Sequence, residues 1–184
     1  MNVERQLCQC PHKALSDDEV QAELILSASR TFCQCPAQEI RDTATQIHLA
    51  WSSSDGFCSC PNVAELTNAT TQTKTTWDSS LGICKCPITP AGAIGLTLAS
   101  AVGPTYCKCP NPSLSDTQAA LVLSGTSDSC VCLLPEITSP TIQTHLTVNG
   151  AGDRCVCPSK SSALTASEAA FELTASLLCQ CPHT

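Results

Sequence analysis

Aromatic side chains are nearly missing from this 184-residue chain, with Phe, Trp and Tyr together at 3%. A core built on large rings is therefore excluded. Charge is sparse as well, at 14% Asp, Glu, Lys and Arg, and it leans negative, with a formal net charge of −7 and a pI near 4.9. That balance opposes nucleic acid and anionic membrane as partners. No run approaches the roughly 18 apolar residues of a bilayer span, so none is expected. The first thirty residues lack the apolar stretch of a signal peptide, so the sequence does not announce its own export. Either a leader has been removed or the chain stays inside the cell. Enzyme signatures are missing too: there is no Gly-x-Ser-x-Gly, no His-Glu-x-x-His, no phosphate-binding glycine loop and no Cys-x-x-Cys-His. The chain reads as a non-enzyme.

What is present in excess is cysteine. Sixteen cysteines and 42% apolar residues describe a chain that folds and is held by sulfur, through disulfides outside a cell or through metal inside one. The cysteines form eight Cys-x-Cys pairs: Cys8/Cys10, Cys33/Cys35, Cys58/Cys60, Cys84/Cys86, Cys107/Cys109, Cys130/Cys132, Cys155/Cys157 and Cys179/Cys181. Successive pairs start 25, 25, 26, 23, 23, 25 and 24 residues apart, and proline follows every pair but the one before Leu133. A fixed period of this size marks a repeat protein. Residues 1–184 form one repeat domain, with units at about 8–32, 33–57, 58–83, 84–106, 107–129, 130–154 and 155–178 and a terminal half-repeat at 179–184.

Each unit carries an alternating segment upstream of its next cysteine pair. The segments read Val20, Ala22, Leu24, Leu26; Ile47, Leu49, Trp51; Thr73, Thr75, Trp77; Ile94, Leu96, Leu98; Ala119, Leu121, Leu123; Ile142, Thr144, Leu146, Val148; and Ala169, Phe171, Leu173. Period two is the strand signal, and Glu23, His48, Lys74, Thr97 and His145 fall on the opposite face. A helical reading competes, because Ser16 to Glu19, Ser115 to Gln118 and Thr165 to Glu168 match capping boxes. β-Branched threonines from Thr67 to Thr76, Pro140, and Gly92 with Gly95 oppose it in other units, so one strand per unit is expected. Polar turns such as Ser52 to Gly56, Ser124 to Asp128 and Asn149 to Asp153 follow. An apolar residue, Leu7, Phe32, Phe57, Ile83, Tyr106 or Leu178, then precedes the cysteines, which sit on a short second strand ended by proline. Units this small cannot bury a core alone. The expected fold is all-β, a β-solenoid or a row of stacked β-hairpins, with a β-sandwich as the alternative.

Geometry restricts the sulfur chemistry. Within one extended Cys-x-Cys the Cα atoms lie roughly 6.6 Å apart with Cβ atoms too distant for an unstrained bridge, so bridges between units are easier. In a chain scheme the second cysteine of one pair joins the first of the next: Cys10 to Cys33, Cys35 to Cys58, Cys60 to Cys84, Cys86 to Cys107, Cys109 to Cys130, Cys132 to Cys155 and Cys157 to Cys179. In a ladder scheme equivalent cysteines of two neighbours join, leaving alternate junctions uncrosslinked. Parallel in-register strands would place the chain-scheme partners on a diagonal of roughly 8 Å, so that scheme needs a local bend. It also leaves Cys8 and Cys181 for intermolecular bonds. Cys8-Gln9-Cys10-Pro11-His12 recurs as Cys179-Gln180-Cys181-Pro182-His183, which fits a head-to-tail homopolymer or, equally, a cap on the last unit.

The function expected is structural: an extracellular or cell-surface, disulfide-stabilised repeat protein, the subunit of a filament or surface fibre, without cofactor. One alternative has the Cys-x-Cys pairs hold zinc or iron-sulfur clusters, two pairs supplying four sulfurs. Another is a monomeric binding module that uses the exposed strand face. His48 and His145 are read as solvated, and Asn68-Ala69-Thr70 fits an N-glycosylation sequon.

Overall fold

The computed structural model describes residues 10, 21–22, 24–53, 56–100, 102–158 and 170–182. Among these the chain is all-β: it has no helix, and its elements are nineteen strands of two or three residues. The described residues fall into two compact units whose sequences interleave. One draws on Met1–Leu66, Lys74–Cys86 and Leu98–Cys107, the other on Thr67–Thr73, Pro87–Thr97 and Lys108–Thr184.

Period two correctly identifies extended structure, but the alternating segments are not single strands. The second segment is split into Gln46–Ile47 and Ala50–Ser52, the fifth into Gln118–Ala119 and Val122–Leu123, and the sixth into Gln143–His145 and Thr147–Val148. The two halves serve different sheets. The later half folds back as a hairpin on the cysteine strand that follows it, so Trp51 lies opposite Cys58 and Val148 opposite Cys155. The earlier half pairs with the next cysteine strand along, so Ile47 lies opposite Cys84, Ala119 opposite Cys155 and Thr144 opposite Cys179.

These strand pairings are antiparallel and none of the sheets closes. The physical reason for the split lies in the residue at its centre. Leu49, Leu96, Leu121 and Leu146 are buried where the chain passes from one sheet to the next, and only a break there lets one side chain serve both layers. In the first unit this joins Ala22, Ile47, Leu49, Cys58 and Cys84 into one core, with Leu24, Trp77 and Leu98 packed against it.

The capping-box chemistry exists but caps a turn rather than a helix. Gln118 Oε1 accepts from the Ser115 amide at 3.2 Å, and the chain then enters the strand Gln118–Ala119. Gln46 Oε1 does the same for Arg41 and Asp42, Gln72 for Asn68, and Gln143 for Thr138 and Ser139. Ser16 to Glu19 and Thr165 to Glu168 lie outside the described residues.

Hairpin loops close with a residue in the left-handed region, φ +63° at Gly82 and +72° at Gly152. Arg30, Ser127 and Leu177 occupy the corresponding positions at φ 57°, 57° and 59°, where a Cβ is crowded by the backbone.

Candidate functional site

The cysteine strands are built from the sheet pattern upward. In a three-stranded arrangement the middle strand has both edges and one face covered, so the side chain at its centre is the most protected. Among the described residues the first cysteine of most pairs takes that place. Cys58 lies between Ala22 and Trp51, Cys84 between Ile47 and Trp77, Cys155 between Ala119 and Val148, and Cys179 between Thr144 and Leu173. Cys130 lies between Leu123 and the single bridge from Ile94. Cys58, Cys84, Cys107, Cys155 and Cys179 are fully buried.

From each such sulfur a bond runs to the second cysteine of the preceding pair. The bridges are Cys10–Cys33, Cys35–Cys58, Cys60–Cys84, Cys86–Cys107, Cys109–Cys130, Cys132–Cys155 and Cys157–Cys179, with Cα separations of 5.4 to 5.7 Å. That separation is within the range a disulfide accepts. The roughly 8 Å diagonal expected for parallel in-register strands does not arise, because consecutive cysteine strands sit in separate antiparallel sheets. Cys181 carries a free, exposed thiol; Cys8 lies outside the described residues. Each bridge closes 21 to 24 residues, worth on the order of 3 kcal/mol in the chain-entropy treatment. The result is a cysteine-rich chain stabilised by consecutive disulfides. Among the described residues no three His, Cys, Asp or Glu side chains converge on a metal-sized site. Nor is any helix among them long and apolar enough to cross a membrane.

Polar groups that the sequence reading passed over lock the layers. Thr75 takes the central place that leucine holds in its neighbours and is buried. Its amide and hydroxyl both donate to Asn62 Oδ1, at 2.7 and 2.8 Å, while Asn62 Nδ2 donates to the Thr75 carbonyl at 3.1 Å. Thr105, fully buried, pairs with the same stretch: its amide donates to the Pro61 carbonyl at 2.6 Å and its carbonyl accepts from Val63. The visible signals were threonine where leucine recurs, and glutamine at or near the start of four segments.

His48 is exposed; His145 is half-buried, its Nε2 2.9 Å from the Pro135 carbonyl. Asn68 is exposed and its side-chain oxygen accepts from the Thr70 amide and hydroxyl. Loop carboxylates are held ionised. The Arg154 guanidinium, bonded to both Asp153 oxygens at 2.9 Å, and the Asn149 carboxamide lower Asp153 to about 2. The Lys85 ammonium and the Ser80 hydroxyl hold Asp78 well below the usual carboxylate range. These groups tie loops together. A shallow apolar groove of about 390 Å³ lies between Ile94, Val131, Leu134, Leu146 and Val148.

Compared with protein-family models, with curated protein sequences and with solved structures, the chain has no match.

Proposed function

We propose that this chain is a structural, non-catalytic repeat protein of the extracellular space or cell surface, and that it is the subunit of a head-to-tail filament. Its units would stack as a row of hairpins or a β-solenoid, each riveted to the next by sulfur. The reading is carried by one observation: the bridges run consecutively and leave the exposed thiol of Cys181 as the next link in the same series. The partner sulfur would be Cys8 of the following copy, a heterologous contact that propagates. Compartment follows from chemistry, since disulfides at this density persist where thiols are not kept reduced. The role expected of such a chain is mechanical and chemical persistence without a large apolar core.

Electrophoresis without and with reductant tests this directly. Oxidised protein should give a ladder that collapses under reduction to a band at 19.2 kDa, and Cys181→Ser should abolish the ladder. A monomeric band from oxidised wild-type protein would overturn the filament reading. Elemental analysis and a visible absorption spectrum of the purified chain separate it from thiolate-bound zinc or iron.

A further inference from the structure

Of the chain's five asparagines, Asn2, Asn62, Asn68, Asn111 and Asn149, only Asn149 is followed by glycine. That pair has a chemistry of its own. The backbone nitrogen of the residue after an asparagine can attack the carboxamide carbon; a side chain on that residue hinders the approach, and glycine has none. Asn149-Gly150 stands in the hairpin loop between the strands Thr147–Val148 and Cys155–Val156, so whatever happens to it happens beside a buried cysteine.

The loop leaves the attacking group open and restrains the group attacked. Gly150 is exposed, a Cβ added to it would meet nothing within 4 Å, and its amide donates to no acceptor among the described residues. The carboxamide is held. Asn149 Nδ2 donates to Asp153 Oδ1 at 2.8 Å, and Asn149 Oδ1 accepts from the Asp153 amide at 3.1 Å and from the Arg154 amide at 3.4 Å. The main chain closes the same loop: the Asn149 amide donates to the Arg154 carbonyl and the Gly152 amide to the Asn149 carbonyl, each at 3.0 Å. These bonds aim the carboxamide across the loop at residues 153 and 154, and its carbon turns to the Gly150 nitrogen only when they open. The strongest of them is charge-assisted, since its acceptor is the carboxylate that the Arg154 guanidinium grips at 2.9 Å.

We propose that Asn149 is a self-modification site, converted without an enzyme to aspartate or isoaspartate at a rate that its bonds to Asp153 and Arg154 set. Water is the one co-reactant. Solvent base takes the Gly150 amide proton, the nitrogen bonds to Asn149 Cγ, and the Cγ–Nδ2 bond breaks, releasing ammonia that takes its proton from solvent. Water then opens the resulting cyclic imide at either carbonyl, giving aspartate or, with the main chain rerouted through the side chain, isoaspartate. Either product sets a carboxylate where a donor faced Asp153 Oδ1, and like charges at that spacing repel. The loop has a second duty that this disturbs. Arg154 Nη1 donates to Gln118 Oε1 at 3.0 Å and to the Ser113 carbonyl at 3.4 Å, and Gln118 lies on the outer strand opposite Val156. Conversion of Asn149 therefore loosens the junction at Cys155, and refolding does not reverse it.

The test incubates the oxidised full chain at mildly alkaline pH and follows position 149 by peptide mapping, which reads the amide-to-acid mass gain and separates isoaspartate by retention. Asp153→Ala, which removes the charged acceptor, should speed conversion about tenfold over wild type. The reduced, unfolded wild-type chain should convert at least as fast. Gly150→Ala placed in the Asp153→Ala chain should return the rate to the wild-type level or below it. Asn149→Asp, the direct product, should show amide hydrogen exchange about tenfold faster across Gln118–Ala119 and Cys155–Val156, with the disulfides intact by mass spectrometry. Equal rates in wild type, Asp153→Ala and the reduced chain overturn the restraint by Asp153. No conversion at position 149 in any of them overturns the site. Unchanged exchange in Asn149→Asp overturns its effect on the junction.

Discussion

Replacing Asn62 with alanine should destabilise the chain out of proportion to its size, because the carboxamide is the partner of a buried threonine. In the native state Thr75 is 5% exposed and gives two hydrogen bonds to Asn62 Oδ1, from its amide at 2.7 Å and its hydroxyl at 2.8 Å. Alanine leaves a buried N–H without an acceptor, a cost of about 1 to 3 kcal/mol, and removes a hydroxyl bond worth about 1 kcal/mol. A total of about 2 to 4 kcal/mol should shift the urea midpoint by roughly 1 to 2 M at an unchanged slope, with disulfides intact. A double-mutant cycle isolates the contact. Thr75→Val alone should cost about 1 kcal/mol, yet in the Asn62→Ala background it should cost nothing, since its hydroxyl has already lost its acceptor. An Asn62→Ala unfolding free energy within about 0.5 kcal/mol of wild type, or strict additivity of the two changes, would refute the argument that this pair replaces a leucine contact.

Backbone strain and acid sensitivity give further tests. Leu177→Gly and Arg30→Gly relieve left-handed φ values of 59° and 57° and should each raise stability by up to about 1 kcal/mol in urea unfolding. Gly82→Ala should lower it by at least about 1 kcal/mol, since the new Cβ would be strained at φ +63° and 2.7 Å from Gln38 Cγ. Asp78 and Asp153 have carboxyls lowered by Lys85 and Arg154, so their contribution is complete above the unfolded value near 3.8 and is lost as pH falls through the folded values. Stability should therefore decline as pH drops from about 4 toward 2, and Asp78→Asn or Asp153→Asn should flatten that decline in a pH series of thermal unfolding. A decline of equal steepness in both variants would count against these pairs.

Spacing alone made part of this architecture legible. Residues such as Ile47, Leu49 and Trp51 alternate, which is enough to say that the segment is extended and which side chains share a face. Alternation says nothing about which neighbour covers that face, because strand pairing is decided by distant residues. Thus the division of Gln46–Ser52 between the sheets of Cys84 and Cys58 was invisible, and the expectation of one strand per unit needed correcting. The same blind spot produced the diagonal objection to consecutive bridges, since parallel neighbours were assumed where the strands are antiparallel. Capping boxes misled for a related reason: a Ser-x-x-Gln sequence satisfies the amides of one turn whether a helix or a strand follows, as Ser115 and Gln118 show. Leucine at positions 49, 96, 121 and 146, with threonine at 75, was the available clue that the centre of the segment has a duty of its own.

Most described junctions, from Cys35–Cys58 onward, are thereby tied twice, by a disulfide and by a half-segment lent to the neighbouring sheet, and the two ties can be separated. Take the bridge Cys132–Cys155, which closes 23 residues. Ala119 and Val148 flank Cys155 independently of the sulfur. Replacing both cysteines with alanine frees the unfolded chain by about 3 kcal/mol of loop entropy and leaves a small void at a buried site, which adds to the loss. If the strand exchange carries its share, the variant should still fold, with the amides at positions 155 and 156 protected and only the midpoint of unfolding lowered. If instead those amides exchange freely while the rest of the chain is protected, the short strands have no stability apart from sulfur. The junction would then be a covalent rivet and not a sheet. Because each strand is only two or three residues long, well below the usual five or six, the outcome weighs the hydrogen-bonded ladder directly against chain entropy.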